Sequence, residues 1–157
     1  MVTTPEGSSE RTGAGLTLSG PPLPWLLRRV NQRYRAAMGD KLREAGIEDV
    51  PQLGYWALMA LSRGANDASQ LVGEMGATKQ AVSRLLDTLA VAGFVDRNAN
   101  LADRRRTDLR LTSRGRDAVR IIESAARDTE RAFVVELGAQ SYAQLVRTLE
   151  QLARKEE

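Results

Sequence analysis

Apolar residues recur at three- and four-residue intervals along most of this chain, and alternate in only one short region. After Pro21, Pro22 and Pro24, a stripe of Leu23, Leu27, Val30, Tyr34, Met38 and Leu42 predicts a long helix. Gly46 closes it, with Ile47 placed for the hydrophobic contact of a C-terminal cap. A second helix, starting near Pro51 as a first-turn proline, runs through Leu53, Tyr55, Trp56, Leu58, Met59 and Leu61 to Gly64. It is apolar on more than one face, so it should be covered on both sides.

From Asp67 the pattern shortens. Asp67 can cap a helix whose third position is Gln70, with Leu71 and Met75 on one face and Gly76 as the stop. Thr78 is the next N-cap, and Val82, Leu85, Leu86 and Leu89 then form one apolar stripe. Lys79, Gln80, Ser83, Arg84 and Asp87 fall on the opposite side. Gln, Ser and Arg near a helix N-terminus are residue types that read base edges, although an ordinary solvated face would carry the same residues.

The segment after this helix decides between those readings. Gly93 ends the helix, Phe94-Val95-Asp96-Arg97 alternates as a strand, and Thr107 to Leu111 alternates again with Leu109 and Leu111 on one face. The loop between them, Asn98 to Arg106, is too polar for a core and carries Arg104, Arg105 and Arg106 in a row. A narrow minor groove, with its enhanced negative potential, attracts such a tip. The predicted fold is mainly α with a small β-hairpin wing: a winged helix-turn-helix flanked by N- and C-terminal dimerisation helices.

These residues resemble the MarR family of transcription regulators. The likeness rests on Ser83-Arg84-Leu85-Leu86, on Gly93-Phe94-Val95, and on Asp103-Arg104-Arg105 followed by Leu111-Thr112 and Gly115, a match to the family's D-x-R…L-T-x-x-G wing signature. It extends from about Leu23 to about Lys155, with Leu101-Ala102 departing from the more polar residues usual before the Asp. The resemblance implies that Arg105 enters the minor groove, held by Asp103.

After the wing, Thr112 or Ser113 caps a long helix with Ala118, Ile122, Ala125, Thr129, Ala132 and Val135 or Glu136 on one side, widened by Ile121 and Phe133. Gly138 breaks it. The last helix is expected to open on a capping box, Ser141 to Gln144, and to carry Tyr142, Leu145, Leu149 and Leu152 as half of a helix-helix seam. Residues 1–20 read as a disordered or adaptable tail, 21–48 as a dimerisation helix, 50–114 as the DNA-binding lobe and 115–157 as further dimerisation helices.

Composition narrows the chemistry. The net charge is only +3, yet Arg97, Arg104, Arg105, Arg106, Arg110, Arg114 and Arg116 crowd one segment, so the basicity is local. The chain has no Cys and no His. That removes disulfides, thiol sensing, Cys/His zinc sites and His-dependent catalysis, and its carboxylates are dispersed without a convergent pair. No metal, cofactor or enzymatic activity is expected. No leader or membrane-spanning run is evident, so the expected location is the cytoplasm, on the nucleoid.

The expected partners are double-stranded operator DNA and a second copy of the chain. Gln80, Ser83 and Arg84 would face bases, while Ser69, Thr78, Lys79, Arg104 and Arg106 would hold phosphates. The resemblance further implies a small aromatic or phenolic effector between the dimerisation helices and the DNA-binding lobe, near Tyr34, Arg35, Met38, Tyr55, Trp56 and Met59. The expectation is a homodimeric repressor on a pseudo-palindromic site, released by that ligand; the alternative is a constitutive or antirepressing DNA binder without an effector.

Overall fold

A computed structural model describes residues 20–99 and 107–154. Within them the chain forms α1 (Leu23–Glu44), α2 (Gly54–Ser62), α3 (Ala68–Met75), α4 (Lys79–Val91), β1 (Val95–Ala99), β2 (Thr107–Leu111), α5 (Ser113–Leu137) and α6 (Ala139–Ala153). The two strands pair antiparallel, with Val95 opposite Leu111 and Arg97 opposite Leu109.

Local chemistry sets most boundaries. The α1 C-terminus is a Schellman cap, in which the Ile47 N–H donates to the Leu42 carbonyl at 2.8 Å and that of Gly46 to Arg43 at 3.0 Å. The same pair of bonds recurs after α4, where Phe94 donates to Leu89 and Gly93 to Ala90. Gly93 takes φ 74°, which turns the chain sharply from the helix into the wing. At the other end, the Thr78 hydroxyl accepts from Ala81 N–H at 3.2 Å. The Asp67 carboxylate likewise accepts from Gln70 N–H at 2.9 Å, and the Gln70 side chain accepts from Asn66 N–H at 2.8 Å.

One continuous core joins the helix-turn-helix to the long helices. Met38 and Leu42 of α1, Ala57 and Leu58 of α2, Leu71 of α3, Leu86 and Leu89 of α4, Phe94, and Ala118 and Ile122 of α5 are all essentially solvent-free within it. α2 is the hub. Its buried residues run from Gly54 to Leu61 around more than one face, as its apolar pattern requires.

Four sequence expectations ahead of α6 are corrected. α2 starts at Gly54, not at Pro51, because the Pro51 carbonyl accepts from Gly54 N–H at 2.7 Å in a turn ahead of the helix. Asn98 and Ala99 are not loop but strand, paired with Asp108 and Thr107. Phe94 does not alternate with Val95; both are buried, because the chain is still turning off α4 at Phe94. On α5 the buried line continues from Ala125 and Thr129 to Phe133, leaving Ala132 and Val135 out of the core.

The opening of α6 is the largest departure. Gly138, at φ 80° and ψ 147°, ends α5 and starts α6 with no side-chain cap. Ser141 therefore lies inside the first turn. Gln144 points forward, accepting from Arg147 at 2.9 Å and donating to Thr148 at 3.4 Å. Apolar surface remains uncovered here: α6 buries no residue, and Leu23, Trp25, Leu26, Leu27 and Val30 of α1 are each 41–51% exposed.

Candidate nucleic-acid interface

α4 is fixed on one side and open on the other. Val82, Leu85, Leu86 and Leu89 are buried, which turns Lys79, Gln80, Ser83, Arg84 and Asp87 outward, all exposed. Gln80, Ser83, Arg84 and Asp87 follow three-four spacing, so they form one outward stripe. Ser69 on α3 and the cap residue Thr78 are exposed beside the α4 N-terminus. A helix N-terminus and its uncovered N–H groups favour a phosphate.

The wing is attached to this helix at its root. The Leu109 N–H of β2 donates to the Asn66 carbonyl at 2.9 Å, tying the hairpin to the loop ahead of α3. The Thr112 hydroxyl donates to the Gly93 carbonyl at 2.6 Å and accepts from Gly115 N–H at 3.0 Å, so it caps α5 and closes the hairpin together. Arg97 of β1 donates to Asp87 at 2.5 Å and to the Ser83 carbonyl at 3.4 Å.

The arginine-rich segment divides by this geometry. Arg97 is engaged with α4. Arg114 donates to the Ala92 carbonyl at 3.0 Å and to Asp49 at 3.2 Å, with its guanidinium 4.6 Å from the Phe94 ring centroid. Arg116 donates to the Leu111 carbonyl at 2.7 Å and the Ser113 hydroxyl at 2.9 Å. Arg97, Arg114 and Arg116 thus brace the wing, a division that sequence spacing does not reveal. Asp103, Arg104, Arg105 and Arg106 lie outside the described residues.

Of the residues assigned to an effector, Trp56 and Met59 share a cleft of about 250 Å³ between α2 and α3, with Leu53, Ala60, Arg63, Glu74 and Met75. The others lie elsewhere. Met38 is fully buried, and Tyr34 packs edge-on against Phe133 at 5.5 Å. Tyr55 lines a smaller cleft of about 210 Å³ with Gly39, Arg43 and Glu48. Arg35 has a buried Nε without a hydrogen-bond partner among the described residues. Burial raises the phenol pKa of both Tyr34 and Tyr55, with the neighbouring Tyr142 and Glu130 adding to the effect at Tyr34.

Residues 49–106, from the loop before α2 to the residue before β2, match the MarR family model. Over that stretch the chain is similar to the MarR family. Escherichia coli MarR in its apo form superposes with a TM-score of 0.65 at 23% identity, over 85% of this chain and 98% of that one. A Mycobacterium tuberculosis MarR family protein in complex with p-aminosalicylic acid gives a TM-score of 0.62 at 27% identity, over 85% of this chain and all of that one. In sequence, the exopolysaccharide II synthesis transcriptional activator ExpG of Rhizobium meliloti is 25% identical over 108 residues. That match takes in 69% of this chain but only 56% of ExpG, so the chain corresponds to little more than half of that relative.

The L-T-x-x-G pattern acquires a physical reason at Leu111-Thr112 and Gly115. Thr112 makes both root bonds, and a Cβ on Gly115 would lie 2.1 Å from the Phe94 carbonyl oxygen. Arg63 is a cleft residue that sequence reasoning does not single out, although Leu53, Trp56, Ala60 and Arg63 follow helical spacing along α2. No helix among the described residues is long and apolar enough to cross a membrane.

Proposed function

We propose that this MarR-family regulator binds pseudo-palindromic duplex DNA as a homodimer, represses the promoter it covers, and is released by a small aromatic anion. The observation that carries the reading is the outward stripe of α4, set by a helix whose other side is locked into the core. Gln80, Ser83 and Arg84 read bases in the major groove. Ser69, Thr78, Lys79, Arg104 and Arg106 hold phosphates, and Arg105, positioned by Asp103, reaches the minor groove. The exposed faces of α1 and α6 supply the two-fold contact, which places two α4 helices on successive half-sites.

The α2–α3 cleft is the proposed effector site. Trp56, Met59 and Met75 offer apolar and polarisable walls, and Arg63 offers a cation for a carboxylate. Its support is the chemistry of the lining together with the p-aminosalicylic acid complex of the M. tuberculosis relative. The ligand shifts DNA affinity only as far as it prefers the spacing of the two lobes that does not fit DNA.

Fluorescence anisotropy on duplex from the promoter of the chain's own gene, across a salt series, tests both halves. Wild type binds with a log–log salt slope of about −0.9 per phosphate neutralised, and Arg84→Ala weakens binding about 10- to 100-fold. p-Aminosalicylate lowers the affinity of wild type and has less effect on Arg63→Ala. Absence of duplex binding overturns the DNA reading; binding indifferent to aromatic anions leaves a constitutive DNA binder.

A further inference from the structure

The outward stripe of α4 ends on a carboxylate. Asp87 stands one turn beyond Ser83, on the face proposed to meet a polyanion, where a bare negative charge opposes binding. Arg97 of β1 covers it, with one guanidinium nitrogen 2.5 Å from Asp87 and the other 3.4 Å from the Ser83 carbonyl. Both ends of this bridge are in water: the side chains are 34% and 59% exposed for Arg97 and Asp87. A pair so exposed adds little to folding stability.

Geometry gives it another use. Arg97 lies directly opposite Leu109, whose N–H makes the 2.9 Å bond to Asn66 that ties the hairpin to the lobe. One cross-strand position of the wing is thus held twice, by Leu109 to the loop before α3 and by Arg97 to the middle of α4. Two attachments on different elements fix an orientation that either alone leaves free to rock.

We infer that Arg97 and Asp87 form a clasp that sets the angle of the wing against the recognition helix. Both are positioning residues for DNA binding. The clasp rests on the DNA reading above, and it makes a prediction opposite to simple charge counting. Replacing Asp87 by Asn removes a negative charge from the DNA-facing surface, which by Coulomb's law alone should tighten binding. If the carboxylate instead holds Arg97 and the wing in place, binding weakens.

The test compares wild type, Asp87→Asn, Arg97→Gln and the double variant by anisotropy across a salt series, with amide hydrogen exchange at Leu109 measured without DNA. The clasp predicts that each single variant binds about 10-fold more weakly. The double variant should be no weaker than the worse single, because one shared interaction is lost once. Salt slopes stay as in wild type, the thermal midpoint moves by no more than about 2 °C, and Leu109 exchanges faster in all three variants.

Unchanged or tighter binding by Asp87→Asn overturns the clasp. So does a loss confined to Arg97→Gln with a slope reduced by about one phosphate, which would make Arg97 a phosphate ligand. Wild type that binds no duplex overturns the DNA reading instead, and Leu109 exchange then decides the clasp: faster exchange in Asp87→Asn sustains it, and unchanged exchange removes it.

Discussion

At Gly115 the first turn of α5 lies so close to the wing root that a Cβ would fall 2.1 Å from the Phe94 carbonyl oxygen. That oxygen also accepts from Thr112 N–H at 3.1 Å, so it cannot move aside without breaking the hairpin closure. Gly115→Ala is therefore expected to cost about 3 kcal/mol by overpacking. Urea unfolding of the variant measures it. Thr112→Val removes a cap and a second hydrogen bond at one stroke and should cost about 1–3 kcal/mol in the same assay. Such residues are visible in a sequence as a motif, but the carbonyl they must clear comes from a residue far back in the chain.

Tyr34 and Tyr55 give the residue scale a pH signature. Burial keeps both phenols protonated above their ordinary pKa of 10.0 in the folded chain. Below about pH 10 neither state ionises them and they leave stability unchanged. Above it the unfolded chain loses these protons while the native chain keeps them, so stability falls as pH rises toward the folded values. Phenolate absorbance at 295 nm should show both tyrosines titrating above pH 10, and only with or after the alkaline loss of helical signal if their burial persists.

Among the elements, α4 is the most legible in the sequence because its signals agree. Thr78, the apolar stripe and Gly93 each mark the same helix, and the structure places each as the pattern requires. Thr78→Ala should cost about 1 kcal/mol and weaken DNA binding besides, since in the proposed complex the same hydroxyl lies near a phosphate. Comparing denaturant midpoints with anisotropy separates the two effects.

α6 is legible as a helix and not in its start. Ser141 and Gln144 have capping-box spacing, but Gly138 already redirects the backbone, and one residue then serves both α5 and α6. The partition of the arginines is equally hidden. Arg114 finds Asp49 across 65 positions and Arg97 finds Asp87 across 10, pairings that follow from tertiary packing alone.

For the molecule as a whole, the uncovered surface is the leading fact. Leu23, Leu26, Leu27 and Val30 on α1 and Leu145 and Leu152 on α6 are each more than 40% exposed. α6 is 15 residues long with no buried side chain, and a helix of that length standing alone in water is marginal. A second copy covering both helices is the proposed remedy. Leu27→Glu combined with Leu152→Glu should shift the chain from dimer to monomer in sedimentation velocity and reduce its helical content.

The incomplete intramolecular cover of α6 has a consequence for how such a chain is maintained in a cell. In the proposed dimer, completing the fold and finding a partner are one equilibrium, so the apparent melting temperature climbs with protein concentration. A newly made copy at low abundance presents frayed ends and apolar helices to proteases until it pairs. On the proposed function, abundance then acts on occupancy of the operator twice, through mass action on DNA and through the survival of the chain itself.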